Sequence, residues 1–400
     1  MNKIVEFWKS KNLIVKILCG IVIGTILGLA VPEVKVIEYL GDIFVGALKA
    51  IAPILVFVLV ISSISKAGKG IGPKFRNVIL LYLISTLVAA MFAVIVSMAV
   101  PLTVVLNETD LTSAAPKALS GIFRNLLLGI VENPVKALGN ANYLGILFWA
   151  IMIGLGVKFV NNETTVLVLE KLSEAVSKVI GWVIGFAPFG ILGIVFASVS
   201  SSGLSIFTSY GKLIIELVAV MLFVMFVTNP LIMFICTRKN PYPLVLTCIR
   251  ESAVSAFFTR SSAANIPINM KLCEKLGLDR DFYSVSIPLG STINMDGAAV
   301  VITIMSLTLA HTLGVYIPVP LAILLAVVST LAACGTSGVA GGSLLLIPMA
   351  CSLMGIPNDI SMQMVAVGFI ISVIQDSLET ALNSSSDVAF TATAEMMLKE

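Results

Sequence analysis

Residues 375–387 read QDSLETALNSSSD and follow directly on the apolar run VAVGFIISVI. Asp376, Glu379, Thr380, Asn383 and Asp387 stand at offsets 0, 3, 4, 7 and 11. At about 100° per residue these positions share one narrow helical stripe, while Ala381, Leu382, Val388 and Phe390 fall outside it. The plainer reading is a solvated amphipathic tail that leaves the membrane at Ile374. Ten apolar residues are too few to cross a bilayer, however, so the stripe must itself run through hydrocarbon depth. An ionised carboxylate at the centre of a spanning helix costs about 2.5–3.5 kcal/mol on insertion scales. Three of them imply partners of opposite charge and a functional role.

A second stretch, PLGSTINMDGAAV (288–300), sets Asn294 and Asp296 inside an apolar helix between Gly290 and Gly297. Loosened helical carbonyls plus one carboxylate are hard oxygen ligands, suited to Na⁺, Mg²⁺ or Ca²⁺ rather than Zn²⁺. A kinked helix with a hydrogen-bonded aspartate is the alternative. Tyr82, Ser85 and Thr86 in LYLISTLV share one face at i, i+3, i+4; alone they read better as helix-packing hydroxyls. Arg260, in TRSSAANIP, cannot discharge in lipid and is expected to pair with one of these carboxylates.

The elements holding these residues must be membrane helices. The 400-residue chain is 58% hydrophobic and 12% charged, half the charge of an average soluble domain, about 25%. A net charge of +3 points to no nucleic-acid partner. The six cysteines are scattered without a CxxC pair and read as small buried apolar residues. The single histidine, His311, argues against a zinc site or a catalytic triad. A membrane hydrolase built on Ser262 or Ser343 has that imidazole as its only base. Candidate spans are 13–31, 43–64, 78–106, 143–160, 176–200 and 205–236. The first is longer than a signal-peptide core of about 7–15 residues. FWKSKN before it suits ordinary anchoring or the inner leaflet.

Segments 241–269, 282–312, 317–355 and 361–394 are apolar but interrupted by Gly, Pro, Ser and Asn. Basic residues cluster in the N-terminal tail, at 66–76, at Arg238–Lys239 and at Lys271, Lys275 and Arg280. The first loop and 107–121 lack such an excess. These signs agree with the positive-inside rule if 241–269 enters and leaves from the cytoplasm, 317–355 enters and leaves outside, and both termini are cytoplasmic. With roughly a dozen residues per arm, or about 18 Å of helix against a core of about 30 Å, both segments are expected to be re-entrant hairpins. Their tips, TRSSAANIP (259–267) and CGTSGVAGGS (334–343), are small and hydroxyl-rich, as backbone lining a wet cavity requires. Two interrupted segments entering from opposite faces are expected of an inverted-repeat transporter; Gly and Ser easing helix packing is the alternative.

Together these motifs resemble the dicarboxylate/amino acid:cation symporters, the glutamate transporter family. TRSSAANIP is similar to its first hairpin tip, NMDGAA to the NMDGT break of its seventh helix, GTSGVAGG to the GTAGVPGAG of its second hairpin, and DSLETALNSSSD to the DxxRTxxNxxxD of its eighth helix. The likeness runs through the whole chain in order. It implies an all-α integral membrane protein of eight transmembrane helices plus two re-entrant hairpins with inverted repeats, assembled as a homotrimer and working as an elevator. Residues 1–77 would be scaffold helices 1–2, and 78–106 transport-domain helix 3. Residues 107–237 would be helices 4–6, with 4 and 5 in the scaffold and 6 in the transport domain. Residues 238–400 would be the transport core: hairpin 1 at about 241–269, helix 7 at about 282–312, hairpin 2 at about 317–355 and helix 8 at about 361–395.

The resemblance also implies roles. Asp376 would bind a substrate amino group. Asn383, Ser262 and the hairpin backbones, including Val339 and Gly341, would hold the α-carboxylate, with Glu379 and Thr380 completing the substrate set. Gly290, Asn294, Asn383 and Asp387 would form one sodium site; Tyr82, Ser85, Thr86, Asn294 and Asp296 a second; and Thr292, Ala333, Cys334 and Thr336, through backbone oxygens, a third. Sodium is cargo here, and no other cofactor is implied.

The chain departs from the pattern where acidic-substrate members carry the arginine of DxxRT: it has Glu379. An arginine would clamp a substrate's side-chain carboxylate, whereas a glutamate would repel it. Ala298 replaces the threonine of NMDGT. Among family branches this is most similar to the serine/threonine:sodium symporters. The expectation is sodium-coupled import of L-serine and L-threonine across a bacterial plasma (inner) membrane. The alternatives are another amino acid or a dicarboxylate of the same family, or a cation channel. A cationic amino acid paired with Glu379 is disfavoured on the expectation that Arg260 neutralises that carboxylate.

Overall fold

A chain that crosses lipid must satisfy its backbone internally, and every regular element among the described residues of the computed structural model is helical. The described residues are 13–66, 73–106, 131–336 and 341–398; FWKSKN, the 107–121 loop and Val339 lie outside them. In chain order the helices are α1 (Leu13–Ala30), α2 (Glu38–Lys66), α3 (Pro73–Ala99), α4 (Pro134–Gly139), α5 (Tyr143–Val160), α6 (Glu163–Gly185) and α7 (Ala187–Ser202). Next, α8 (Ser205–Phe223) passes through one π turn, Val224–Thr228, into α9 (Asn229–Thr237). The rest are α10 (Tyr242–Cys248), α11 (Val254–Thr259), α12 (Ser262–Lys275), α13 (Arg280–Ile293), α14 (Asp296–Thr312), α15 (Val319–Ala333), α16 (Ile347–Leu353) and α17 (Asn358–Met396).

Among the described residues, five helical runs are long and apolar enough to cross a bilayer, and the pair α6–α7 makes a sixth. The protein is therefore a multi-pass membrane protein. Two expected spans are corrected. The one placed at 176–200 begins at Glu163, where the Asn162 side chain accepts from the Thr165 amide at 3.0 Å, and bends by 51° between α6 and α7. The bend falls at Pro188 in the first turn of α7, which has no amide to continue the ladder. The charged residues of α6 hid its start from an apolar-run reading. The span placed at 78–106 runs from Pro73 to Ala99 and stops two residues before Pro101.

The helices pack in two groups. In one, α1 lies along α7, and α2 against α5, α6 and α7. In the other, α14 is the core, buried from Asp296 to Ala310 and surrounded by α3, α15, α16 and α17. The ends of the second group are tied together near Asp279. That carboxylate caps α13 and accepts from the Lys74 ammonium at 2.8 Å, a bond that holds its carboxyl below the usual range. The Asp279 amide donates to Glu395 on α17 at 2.9 Å.

Residues 241–269 do fold back. The Asn265 amide donates to Ser252 Oγ at 3.1 Å, and Ser252 Oγ to Asn269 Oδ1 at 2.6 Å, so α12 runs antiparallel to the arm before it. The reversal needs only Arg260, in the left-handed region at φ 52°, and Ser261; the rest of the expected tip, from Ser262, is already helix. The first arm is longer than expected. With its π turn it covers residues 242–259, about 27 Å of helix, so the reversal and not the length identifies it. In the second segment α15 packs against α16 and the 3₁₀ turn Ser343–Leu346.

Candidate functional site

The stripe on α17 is buried as its spacing demands: Asp376, Glu379, Asn383 and Asp387 are all under 7% exposed. Against it stands the break between α13 and α14. The Asn294 amide closes the last turn of α13 on the Gly290 carbonyl at 2.9 Å. Its side-chain nitrogen then donates to Asp387 Oδ1 (2.9 Å), the Asn383 carbonyl (3.2 Å) and Ser386 Oγ (2.8 Å). Asp387 Oδ2 is buried with no hydrogen-bond partner among the described residues. Gly290 is small for a reason: a Cβ there would stand 2.7 Å from Asp387 Oδ1 and 2.8 Å from the Tyr82 hydroxyl. Gly290, Asn294, Asn383 and Asp387 are thus brought together around an unspent carboxylate oxygen. That donor set fits a hard cation.

Asp296 opens α14 one turn away. Its Oδ1 accepts from Ser85 Oγ at 2.9 Å and Thr86 Oγ1 at 3.0 Å. Ser85 and Thr86 thus bond a buried carboxylate across the α3–α14 seam. Tyr82 stands apart from them. Its hydroxyl lies 3.2 Å from the Asp387 carbonyl and 3.0 Å from Thr391 Oγ1, and its carbonyl accepts from both Ser85 and Thr86. Sequence reasoning missed Asn229, whose amide donates to Asp296 Oδ2 at 2.8 Å. Its signal was an asparagine beside Pro230 in the apolar run of α8–α9, directly after the π turn.

The third expected set is one of backbone oxygens, and the side chains around it are engaged elsewhere. Cys334 Sγ reaches the Ile293 carbonyl at 3.5 Å, which brings hairpin 2 to the helix break. Thr292 and Thr336 hydroxyls turn back to Leu289 and Ala333 carbonyls, at 2.8 Å each.

The substrate set lies between the two hairpins. Arg260 Nε donates to Asp376 Oδ2 at 2.6 Å, and the Gly341 amide to Asp376 Oδ1 at 3.1 Å. Gly341 adopts φ 73°, which a side chain would resist. Glu379 accepts from Ser343 Oγ at 2.7 Å and from the Gln375 amide. The expectation that Arg260 neutralises Glu379 is thus corrected. Three residues turn the helix by about 60°, so Asp376 reaches both hairpins, Arg260 on the first and Gly341 on the second, whereas Glu379 is bonded by Ser343 of the second. Ser343 and Gln375 are further site residues that motif spacing did not reveal. Thr380 spends its hydroxyl on the Asp376 carbonyl at 2.8 Å. Ser262 is buried at the start of α12. Asn383 Oδ1 accepts from the Gly297 amide at 2.7 Å.

Hairpin 1 is fastened to this stripe. Asn265 and Asn269 amides donate to Ser384 Oγ at 2.8 and 3.0 Å, and Asn269 also to the Ser384 carbonyl at 3.0 Å. Buried and nearly fully satisfied, this network holds the Arg260 turn rigidly on α17.

Comparison with known proteins adds to this geometry. Residues 13–397 match the model of the sodium:dicarboxylate symporter family. A protein of Bifidobacterium adolescentis named serine/threonine transporter SstT is 55% identical, over 98% of this chain and 91% of its own. Proteins of the same name from Streptococcus agalactiae serotype III and Streptococcus thermophilus are 54% and 51% identical, each over 99% of this chain and 98% of their own.

Proposed function

The chain belongs to the sodium:dicarboxylate symporter family, and from that premise we propose that it imports L-serine and L-threonine together with sodium ions. One observation carries the reading. Asp296, Asp376, Glu379 and Asp387 are buried around the helix break, and Arg260 is the only buried fixed cation among the described residues. Buried charge must be paired. Three negative charges are left for mobile cations, which sodium ions supply; the substrate is a zwitterion that sets its ammonium beside a carboxylate and adds no net charge. Transport is therefore a matter of charge neutralisation, with no chemical step.

Glu379 bears on the choice of substrate. A carboxylate held by Ser343 and Gln375 can accept a hydrogen bond from a small hydroxyl side chain and repels an acidic one. Pairing of Arg260 with Asp376 removes the earlier ground against a cationic substrate; the relatives' names now weigh against it. Asp376 would take the amino group, with Ser262, Asn383 and the hairpin backbones on the carboxylate. The cation sites would be those already described, with Asn229 added to the second.

The proposed architecture is a homotrimer of eight spans and two hairpins in a bacterial plasma membrane, termini cytoplasmic. The scaffold would comprise α1, α2 and α5–α7; α3 and α8–α17 would be the moving group. Two features support a position displaced toward the cytoplasm. Lys49 lies 11 residues into α2 yet pairs with Asp359 in the first turn of α17, although both helices start from the outer side in this topology. The outer end of α17 is thus lowered by about 16 Å. A cleft of about 1330 Å³ also separates α6 from the hairpin 1 turn, lined by Glu170, Lys178, Ser261 and Thr292 among others.

Purified protein in vesicles is expected to accumulate radiolabelled serine under an inward sodium gradient, with little competition from glutamate. Equal uptake in choline and sodium media would remove the coupling. Glutamate competing as well as serine would remove the role given to Glu379.

A further inference from the structure

One buried carboxylate belongs to none of these sites. Glu216 lies 11 residues into α8, about 17 Å along the helix, within a 33-residue apolar run. It is 8% exposed, and neither Oε1 nor Oε2 has a hydrogen-bond partner among the described residues. Phe223, seven residues later and so on the same side of α8, stacks on Phe92 of α3 with centroids 4.2 Å apart. Glu216 therefore faces the α8–α3 seam. The Tyr210 hydroxyl bonds the Val105 carbonyl at 3.3 Å, so α3 runs antiparallel to α8. This brings Ser97, whose Oγ also lacks a partner, to about the level of Glu216.

Among the described residues no cation is bonded to this carboxylate. On α8 itself, Lys212 is one turn away, exposed and not bonded to it. Of the elements packed on α8, α7 carries no titratable side chain. Those of α3, Lys74, Arg76 and Tyr82, lie beyond Phe92 toward its other end. On α14, Asp296 is held by Asn229, 13 residues further along the α8–α9 run, and His311 sits in the last turn with Nδ1 unpartnered. On α17, Asp359, Asp376, Glu379, Asp387 and Glu395 are engaged by Lys49, Arg260, Ser343, Asn294 and the Asp279 amide respectively.

An isolated carboxylate in hydrocarbon must be discharged. A metal cation would need several oxygen ligands, and among the described residues no such set is gathered here. A proton needs one. We propose that Glu216 is a proton-binding site within the membrane, separate from the cation and substrate sites, and that its loading and release make transport sensitive to pH. The proton comes from water, forms one O–H bond at a carboxyl oxygen and returns to water. Release is tied to movement because α8 is assigned to the moving group and packs on α7 of the fixed one; that link rests on the elevator reading above.

Two readouts on the full-length protein in vesicles test this. Infrared difference spectra, parent minus Glu216→Gln, are expected to contain the carbonyl stretch of a protonated carboxylic acid at neutral pH. This measurement needs no transport, so it decides proton binding even if serine uptake fails. The parent is expected to show an alkaline fall in serine uptake; Glu216→Gln, which imitates the protonated state, is expected to retain uptake at neutral pH and to lack that fall. Absence of the acid band from the difference spectrum would overturn the site, as would its appearance only after Lys212→Met, which would mean a Lys212–Glu216 ion pair. An unchanged pH profile in Glu216→Gln would overturn the link to transport.

Discussion

Asp376→Asn protein is expected to take up no measurable serine and to lose about 3–5 kcal/mol of stability, the usual consequence of stripping one partner from a buried ion pair. The reason lies in what Asp376 faces: Arg260 Nε at 2.6 Å on one oxygen and the Gly341 amide at 3.1 Å on the other. Asparagine keeps the shape and can still accept from Gly341, but it leaves a guanidinium without a counter-ion in a dry site. The two roles separate in the double variant Arg260→Met/Asp376→Asn. Removing both charges together is often neutral, so melting should recover while uptake stays absent. Recovery of uptake would mean that Asp376 does not receive the substrate ammonium.

Asp387→Asn is expected to raise the half-saturating sodium concentration by about 10–100-fold, the equivalent of losing about 1.5–3 kcal/mol of charge-assisted bonding. Asp387 Oδ2 is the unspent oxygen at the Gly290–Asn294 cradle, and an amide nitrogen in its place repels a cation. Asp296→Asn should act in the same direction, since Ser85, Thr86 and Asn229 all converge on that carboxylate. Serine affinity at saturating sodium should change far less in both. Sodium dependence equal to the parent in both variants would mean that these oxygens do not hold the co-transported ions.

Much of this candidate site is legible in the amino-acid sequence. Offsets of 0, 3, 4, 7 and 11 along α17 put five polar groups on one stripe, because helical periodicity is local. The Asn294 break could be read because Gly290, Asn294 and Gly297 interrupt an apolar run at hydrocarbon depth. Partner choice was not legible. Whether Arg260 meets Asp376 or Glu379 depends on which hairpin leans on which side of α17, a tertiary outcome on which spacing is silent. Asn229 and Ser343 escaped for the same cause: each contributes one side chain from another element. Gln375 differs, since it lies on α17 one turn before Glu379 and its bond is local. The start of α6 was missed for an opposite one, since its Glu and Lys residues diluted the apolar signal that marks a span. The first arm of the 241–269 hairpin has 18 residues, so its length does not decide between a re-entrant arm and a span.

The central claim is that the excess buried negative charge is carried across the membrane only when sodium ions neutralise it and a zwitterion fills the site with them. The most direct test reverses the driving force. Vesicles without a sodium gradient are given an inward serine gradient, and entry of radiolabelled sodium is followed. Serine should drive sodium inward, and Asp376→Asn should abolish that flux. Sodium entry that proceeds at the same rate with and without serine would contradict the claim.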